Sequence, residues 1–235
     1  MTAFVAGATG YTGREVVRCL AAAGARVVAH VRPDSPRLEE WRSRFGAMGA
    51  QVDTTPWNAA LLAATIAAVR PDVVFCLVGT TRRRMRHSPK DPFGRPLETY
   101  DCVDHELTAM LTRACVMADV SCRFVYLSAA GTGPKARTRY GQARWRAEEA
   151  VRSSGLPWTI VRPVIISGPN RGEWRPLERA AAVLGDAALR LLSHLGFPGP
   201  LRRFASIDAQ ALAAALVRAS QDPLCVGRVL QRSDL

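Results

Sequence analysis

The chain has 235 residues, 48% of them hydrophobic and 22% charged, enough apolar content for one sizeable core and too much for a disordered chain. No apolar stretch reaches the roughly 18 residues a bilayer span needs; the longest uncharged run, Thr54 to Val69, is interrupted by Pro56 and Asn58, so no membrane span is expected. The net charge of +12 invites a nucleic-acid reading, but the cations are arginines spread along the chain, with Lys90 and Lys135 the only lysines, so nucleic acid is not expected as a partner.

Short apolar runs alternate with amphipathic segments. Ala3–Ala6 reads as a first strand. In Thr12–Ala23, Val16, Val17, Leu20 and Ala23 share one helix face. Arg26–Val31 and Gln51–Val52 read as the next strands, and Asp72–Val78 is the clearest buried one. The run Arg82, Arg83, Arg84 and Arg86 beside His87 reads as a solvated or phosphate-facing loop. Leu107–Ala118 is a helix with Leu107, Leu111, Ala114 and Ala118 on one stripe, which a second subunit could share. Arg123–Leu127, Tyr140–Arg152 and Trp158–Val161 follow as strand, helix and strand. Continuous apolar strands between helices predict a doubly wound parallel sheet, the α/β Rossmann architecture.

After Pro163 the rhythm breaks. Glycines and prolines punctuate 167–205, around a helical stretch Leu177–Leu195. Ala209–Ala219 then reads as a helix and Arg228–Leu230 as an edge strand. One domain over 1–235 with a small C-terminal cap from about 167–205 is expected.

The six cysteines form no C-x-x-C pair and no metal-ligand spacing, so they read as buried free thiols and no metal site is expected. With no basic segment at the N-terminus to mark a secretory leader, a reducing cytoplasm is the expected location.

Gly7-Ala8-Thr9-Gly10-Tyr11-Thr12-Gly13 follows the first strand and opens the first helix. Glycines there permit a tight turn and close approach of backbone to a pyrophosphate, and a helix N-terminus supplies N–H groups and partial positive charge. The spacing is G-x-x-G-x-x-G. At the end of the second strand, where a carboxylate would indicate NAD, stand Val31-Arg32-Pro33. Arg32 and Arg14 suit a 2′-phosphate, because a guanidinium pairs with phosphate oxygens through two bonds at once. NADP is therefore favoured over NAD, although Asp34 could still reach a ribose hydroxyl.

GATGYTG at 7–13, Ser128, Tyr140 and the pair Arg162-Pro163 resemble the short-chain dehydrogenase/reductase superfamily in its atypical, NmrA-like branch. FCLVGTTR at 75–82 and RGEW at 171–174 are similar to the Tat-interactive oxidoreductase-like proteins of that branch. The resemblance covers about residues 3–178. It implies a pyrophosphate turn at Gly7, Gly10 and Gly13 that includes Thr9, Tyr11 and Thr12. Arg32 falls at the 2′-phosphate position and Asp53 at the adenine contact. Leu77, Val78 and Gly79 match the loop beneath the ribose, and Pro163 and Val164 the segment that orients the nicotinamide. Ser128 and Tyr140 match the catalytic serine and tyrosine. Where the superfamily has a lysine four residues after the tyrosine, this chain has Arg144. A tyrosine ionises near pH 10 in water, so a cation beside it matters for acid–base work at neutral pH. Arginine keeps the charge but not the compact ammonium.

These residues imply an NADPH-dependent reductase of a small carbonyl or quinone-like substrate. The alternative is a non-catalytic NADP-binding redox sensor or scaffold acting through a protein partner. A homodimer stands open beside either.

Overall fold

A computed structural model of the chain describes residues 1–164, 166, 167 and 206–235. The expected cap therefore lies almost wholly outside the described residues, as do Trp174 and the expected helix Leu177–Leu195.

Seven parallel strands form one sheet: β1 (Thr2–Ala6), β2 (Arg26–His30), β3 (Gln51–Asp53), β4 (Val73–Cys76), β5 (Arg123–Leu127), β6 (Trp158–Arg162) and β9 (Arg228–Gln231). Their spatial order is β3-β2-β1-β4-β5-β6-β9. The chain winds outward from β1 in one direction and from β4 in the other, so the strand order reverses between them. In open α/β sheets that switch point leaves a crevice at the carboxyl ends of the strands. The register aligns the strand ends there: Ala6 lies opposite both His30 and Cys76. The glycine turn, Arg32 and Leu77–Gly79 consequently leave the sheet side by side. A separate parallel pair, β7 (Ile166–Ser167) and β8 (Ile207–Asp208), follows β6.

The pleat of β1 sends Ala3 and Val5 to one face and Phe4 and Ala6 to the other. The first face packs on α1 (Tyr11–Ala22), α2 (Leu38–Gly46) and α7 (Ala209–Gln221), through Val17, Leu20, Phe45, Leu212 and Leu216. The second packs on α3 (Ala59–Val69), α5 (Leu107–Met117) and α6 (Arg139–Arg152), through Ile66, Leu111 and Val151. Leu20 and Leu212 are fully buried, and each such side chain contributes about 1.5–3 kcal/mol.

The helices start where the sequence supplies acceptors. Asn58 takes the Ala60 and Leu61 N–H groups at the start of α3, and Asp208 takes those of Gln210 and Ala211 at the start of α7. Thr138 accepts from Gly141 N–H, which sets Tyr140 in the first turn of α6. The basic run is a short helix, α4 (Arg82–His87), capped by Thr81, rather than a loop. Asp101–Glu106 forms a π-helical turn that runs directly into α5. The apolar stripe of α5 is covered from within: Leu111 faces the sheet, and Ala114 packs with Leu62 and Ala63 of α3. Leu107 and Ala118 of the same stripe are half-buried. The expected edge strand is β9, paired in parallel with β6.

Cys76, Cys115 and Cys122 are buried free thiols, while Cys19, Cys102 and Cys225 are half-buried. Burial pushes the Cys76 thiol up to about 11. Among the described residues there is no cluster that could hold a metal ion, and no helix is long and apolar enough to cross a membrane.

Candidate active site

The glycine turn is wedged between β4 and α1. Gly7 has φ +82°, and a Cβ there would come within 2.6 Å of the Leu77 carbonyl carbon. A Cβ on Gly13 would strike the Gly7 carbonyl oxygen and lie 2.9 Å from Ala8 Cα. Both positions are closed to side chains by backbone. Gly10 N–H donates to Gly7 O at 3.0 Å, and α1 begins with no side chain capping it. The first turn of such a helix presents N–H groups and the positive end of its dipole. That arrangement fits a pyrophosphate.

The turn opens on a cleft of about 650 Å³ at the switch point. Gly7, Thr9 and Gly10 line one wall and Leu77, Val78 and Gly79 another. Tyr11, Thr12 and Gly13 lie in the first turn of α1, with Thr12 and Gly13 buried. Arg32 lines the same cleft, 3.2 Å from Glu98 Oε1 and 3.7 Å from Asp34 Oδ1. Arg14 does not. Its Nε donates to Gly10 O at 3.3 Å and its guanidinium lies over the Tyr11 ring, so it is turned back onto its own helix. Arg84 and Arg37 take its place at the cleft wall.

Asp53 is not a lining residue of this cleft. Its carboxylate accepts from Thr55 Oγ1 at 2.8 Å and from Thr55 N–H at 3.2 Å. A short turn has therefore used the side chain expected to meet adenine. His30 and Trp57 stand in the cleft wall instead, their rings edge to face at 5.0 Å. His30 Nε2 lies 2.8 Å from Thr55 O. Burial holds the imidazole below its ordinary value, opposed by that hydrogen bond and by Asp53. The signal for His30 was its place as the last residue of β2, beside a strand end already assigned to the cofactor.

At the ends of β5 and β6 the side chains are tied to one another. Tyr140, Arg144 and Glu148 follow at intervals of four on α6 and share a face. Arg144 is buried. Its Nη1 donates to Leu127 O at 2.6 Å and to Tyr126 Oη at 3.1 Å, and its Nη2 is 2.8 Å from Asp104 Oδ1. Burial opposes its charge, but Tyr126, Tyr140 and Asp104 around it carry the guanidinium well above its ordinary value, so it stays charged. Asp104, in the π-helical turn, also accepts from Thr80 N–H at 3.0 Å. Burial pushes its carboxyl up, against the pull of Arg144. Arg144 also lies 5.3 Å from the Tyr140 ring centre, and Tyr100 meets the same ring edge on at 5.2 Å.

Arg144 presses against Gly79, where a Cβ would collide with its guanidinium. Its Nε and the hydroxyl of Thr80 are buried without hydrogen-bond partners among the described residues. Both atoms are enclosed by protein, and of this group only Gly79 lines the cleft. Nη1 and Nη2 are turned to Leu127, Tyr126 and Asp104 rather than to the cleft, which departs from the ribose grip implied for this position.

Ser128 departs further from its implied role. Its Oγ donates to Glu148 Oε1 at 2.6 Å. Glu148 is fully buried between Ser128, Arg152 and Arg162, each arginine at 2.6 Å from Oε2. With its proton on Glu148, Ser128 presents lone pairs rather than a hydrogen to a substrate. Pro163 and Val164 follow β6, and Pro163 O accepts from Ala130 N–H at 2.8 Å, which fixes this segment against the loop after Ser128.

A glycine turn at the switch point of a parallel sheet, with a cleft beside it, defines a dinucleotide-binding Rossmann protein. More particularly, residues 7–189 match the NAD(P)H-binding family, and the chain belongs to it. It is 27% identical over 176 residues to "Protein fmp52-1, mitochondrial" of Aspergillus terreus, covering 74% of this chain and 69% of that one. Two solved structures share the fold. Bordetella bronchiseptica WbmH in complex with NAD+ superposes with TM-score 0.63 at 18% identity, over 97% of this chain and 73% of its own. Yeast methylglyoxal/isovaleraldehyde reductase Gre2 with NADPH gives 0.61 at 15%, over 98% and 78%. The cytoplasmic location expected from the N-terminus and the cysteines is overturned by the fungal relative, which is named mitochondrial.

Proposed function

We propose that the protein is an NADP(H)-dependent oxidoreductase that reduces a small carbonyl or quinone-like substrate, with a cap of about 167–205 on the substrate side and its finer likeness in the NmrA-like branch. The observation that carries the reading is Arg32 at the cleft wall, one strand-end away from the glycine turn, with Arg84 converging on the same point. Two guanidiniums there suit a 2′-phosphate better than a ribose hydroxyl.

In this reading Gly7, Gly10 and the first turn of α1 hold the pyrophosphate, and Leu77–Gly79 pass beneath the ribose. NADPH, when bound, supplies the hydride. Tyr140 gives its proton to the substrate oxygen, with the Arg144 guanidinium 5.3 Å from its ring centre. Pro163 and Val164 position the nicotinamide through backbone groups. Ser128 gives its hydrogen to Glu148, so in this geometry the substrate oxygen is met by Tyr140 rather than by Ser128.

The second reading is a non-catalytic NADP-binding sensor. A specific observation favours it: Ser128 and Arg144 are both engaged by buried carboxylates. One experiment separates the two. NADPH oxidation is followed with a panel of aldehydes, ketones and quinones, for the wild type and Tyr140→Phe. Turnover in the wild type that is lost in the variant, with NADPH still bound, supports the reductase. Binding without turnover across the panel supports the sensor.

A further inference from the structure

Arg32 leaves the end of β2 and Arg84 sits on α4, 52 positions later in the chain, yet both address one carboxylate. Arg32 Nη1 lies 3.2 Å from Glu98 Oε1, and Arg84 Nη2 lies 3.2 Å from Glu98 Oε2. The three side chains line the cleft together.

Glu98 is delivered there by a built segment. Lys90 and Pro96 pair as an antiparallel bridge. Leu97 N–H donates to Pro89 O at 2.8 Å. Asp91 Oδ1 accepts from Phe93 N–H and Arg95 N–H, closing the tip. Glu98 N–H itself donates to Ser88 Oγ at 2.8 Å, which fixes the backbone directly behind the carboxylate. The Glu98 side chain is 21% exposed, whereas Asp34, the other carboxylate near Arg32, is 73% exposed.

Two guanidiniums share one tethered carboxylate in the free protein, which leaves one positive charge in excess. A phosphate carries about −1.5 to −2 at neutral pH and three acceptor oxygens. It would bind both arginines more strongly than one carboxylate does, but only by displacing it. A ribose hydroxyl has no charge to contend with. We propose that Glu98 is a built-in counter-anion of the 2′-phosphate subsite. It holds Arg32 and Arg84 in place and competes with the phosphate for them, and so sets how strongly the protein prefers the phosphorylated cofactor. The inference rests on the NADP(H) reading of Arg32 and extends it to Arg84, Glu98 and the 88–98 hairpin.

The test uses two fragments that lack nicotinamide, 2′,5′-ADP and 5′-AMP, titrated calorimetrically into the full chain. Glu98→Gln is expected to bind 2′,5′-ADP roughly three- to tenfold more tightly, the range for two half-exposed ion pairs, with 5′-AMP changed less than about twofold. Ser88→Ala, which frees the Glu98 backbone, should move the same way by less. Asp34→Asn should change either fragment less than about twofold, which separates position from mere charge count. A wild type that prefers 2′,5′-ADP together with an unchanged Glu98→Gln overturns the proposal and leaves the NADP(H) reading standing. Loss of 5′-AMP affinity in Glu98→Gln also overturns it, by making Glu98 a ribose-hydroxyl acceptor. A wild type that treats the fragments alike while Glu98→Gln gains only 2′,5′-ADP affinity upholds the counter-anion and removes the NADP(H) preference.

Discussion

The two sides of the crevice between β1 and β4 are made of different materials. On the β1–β2 side the shape is set by backbone: Gly7 at φ +82°, Gly13 against the Gly7 carbonyl, and strand ends held level by register. On the β5–β6 side it is set by side chains that depend on distant partners. Arg144 is completed by Asp104, and Ser128 by Glu148. A backbone site survives most substitutions around it and fails when a glycine is lost. A side-chain site fails when any one partner is removed, because a buried charge is left exposed to an apolar interior.

The largest effect is expected on the side-chain half. Asp104→Ala leaves the Arg144 guanidinium buried without its carboxylate and should cost about 3–5 kcal/mol of stability in a denaturant titration. A loss below about 1 kcal/mol would show that Arg144 relaxes to solvent and that this half is less rigid than its contacts imply.

Gly13→Val should cost less stability and more binding. A side chain against the Gly7 carbonyl forces the turn apart, costing about 1–3 kcal/mol and abolishing dinucleotide binding in a chain still folded by circular dichroism. Gly10→Val is milder, since a Cβ there meets Gly7 O only at 3.1 Å. If Gly13→Val binds normally, the pyrophosphate lies elsewhere and the comparison collapses.

The smallest effect is a pH dependence on the backbone half. His30 titrates below its ordinary value because it is buried. The unfolded chain then binds the proton more readily, so the stability that neutral His30 contributes is present above pH about 6.5 and is lost as pH falls from there through the folded value. Thermal melts should fall over that window in the wild type and less steeply in His30→Gln. Equal slopes would remove His30 from the account.

The same contrast explains what could be read from the residues alone. The strands β1, β2, β4, β5 and β6 appear as apolar runs because both faces of a parallel sheet are covered. The glycine turn is legible because backbone constraints are written directly as glycine. Helix α3 was harder to see: AALLAATIAAV is apolar all round and carries no helical stripe. The π-helical turn Asp101–Glu106 is polar and carries no period either, so nothing in the local sequence marks Asp104 as the residue that completes Arg144. The hydrogen bonds of Ser128 and Arg144 depend on Glu148 and Asp104, partners that the motif around each does not name. The positions of Arg14 and Asp53 point to the cofactor, but each side chain bonds within its own turn.

The central claim is that the phosphorylated adenosine end of a dinucleotide lies between the glycine turn and the pair Arg32 and Arg84. A crystal structure with NADP+ tests it most directly. The account predicts the pyrophosphate on the N-terminus of α1 and the 2′-phosphate within hydrogen-bond distance of both guanidiniums, with Glu98 moved aside. A bound nucleotide whose ribose faces Glu98 while Arg32 and Arg84 keep their carboxylate, or one that avoids the Gly7–Gly13 turn, would contradict it.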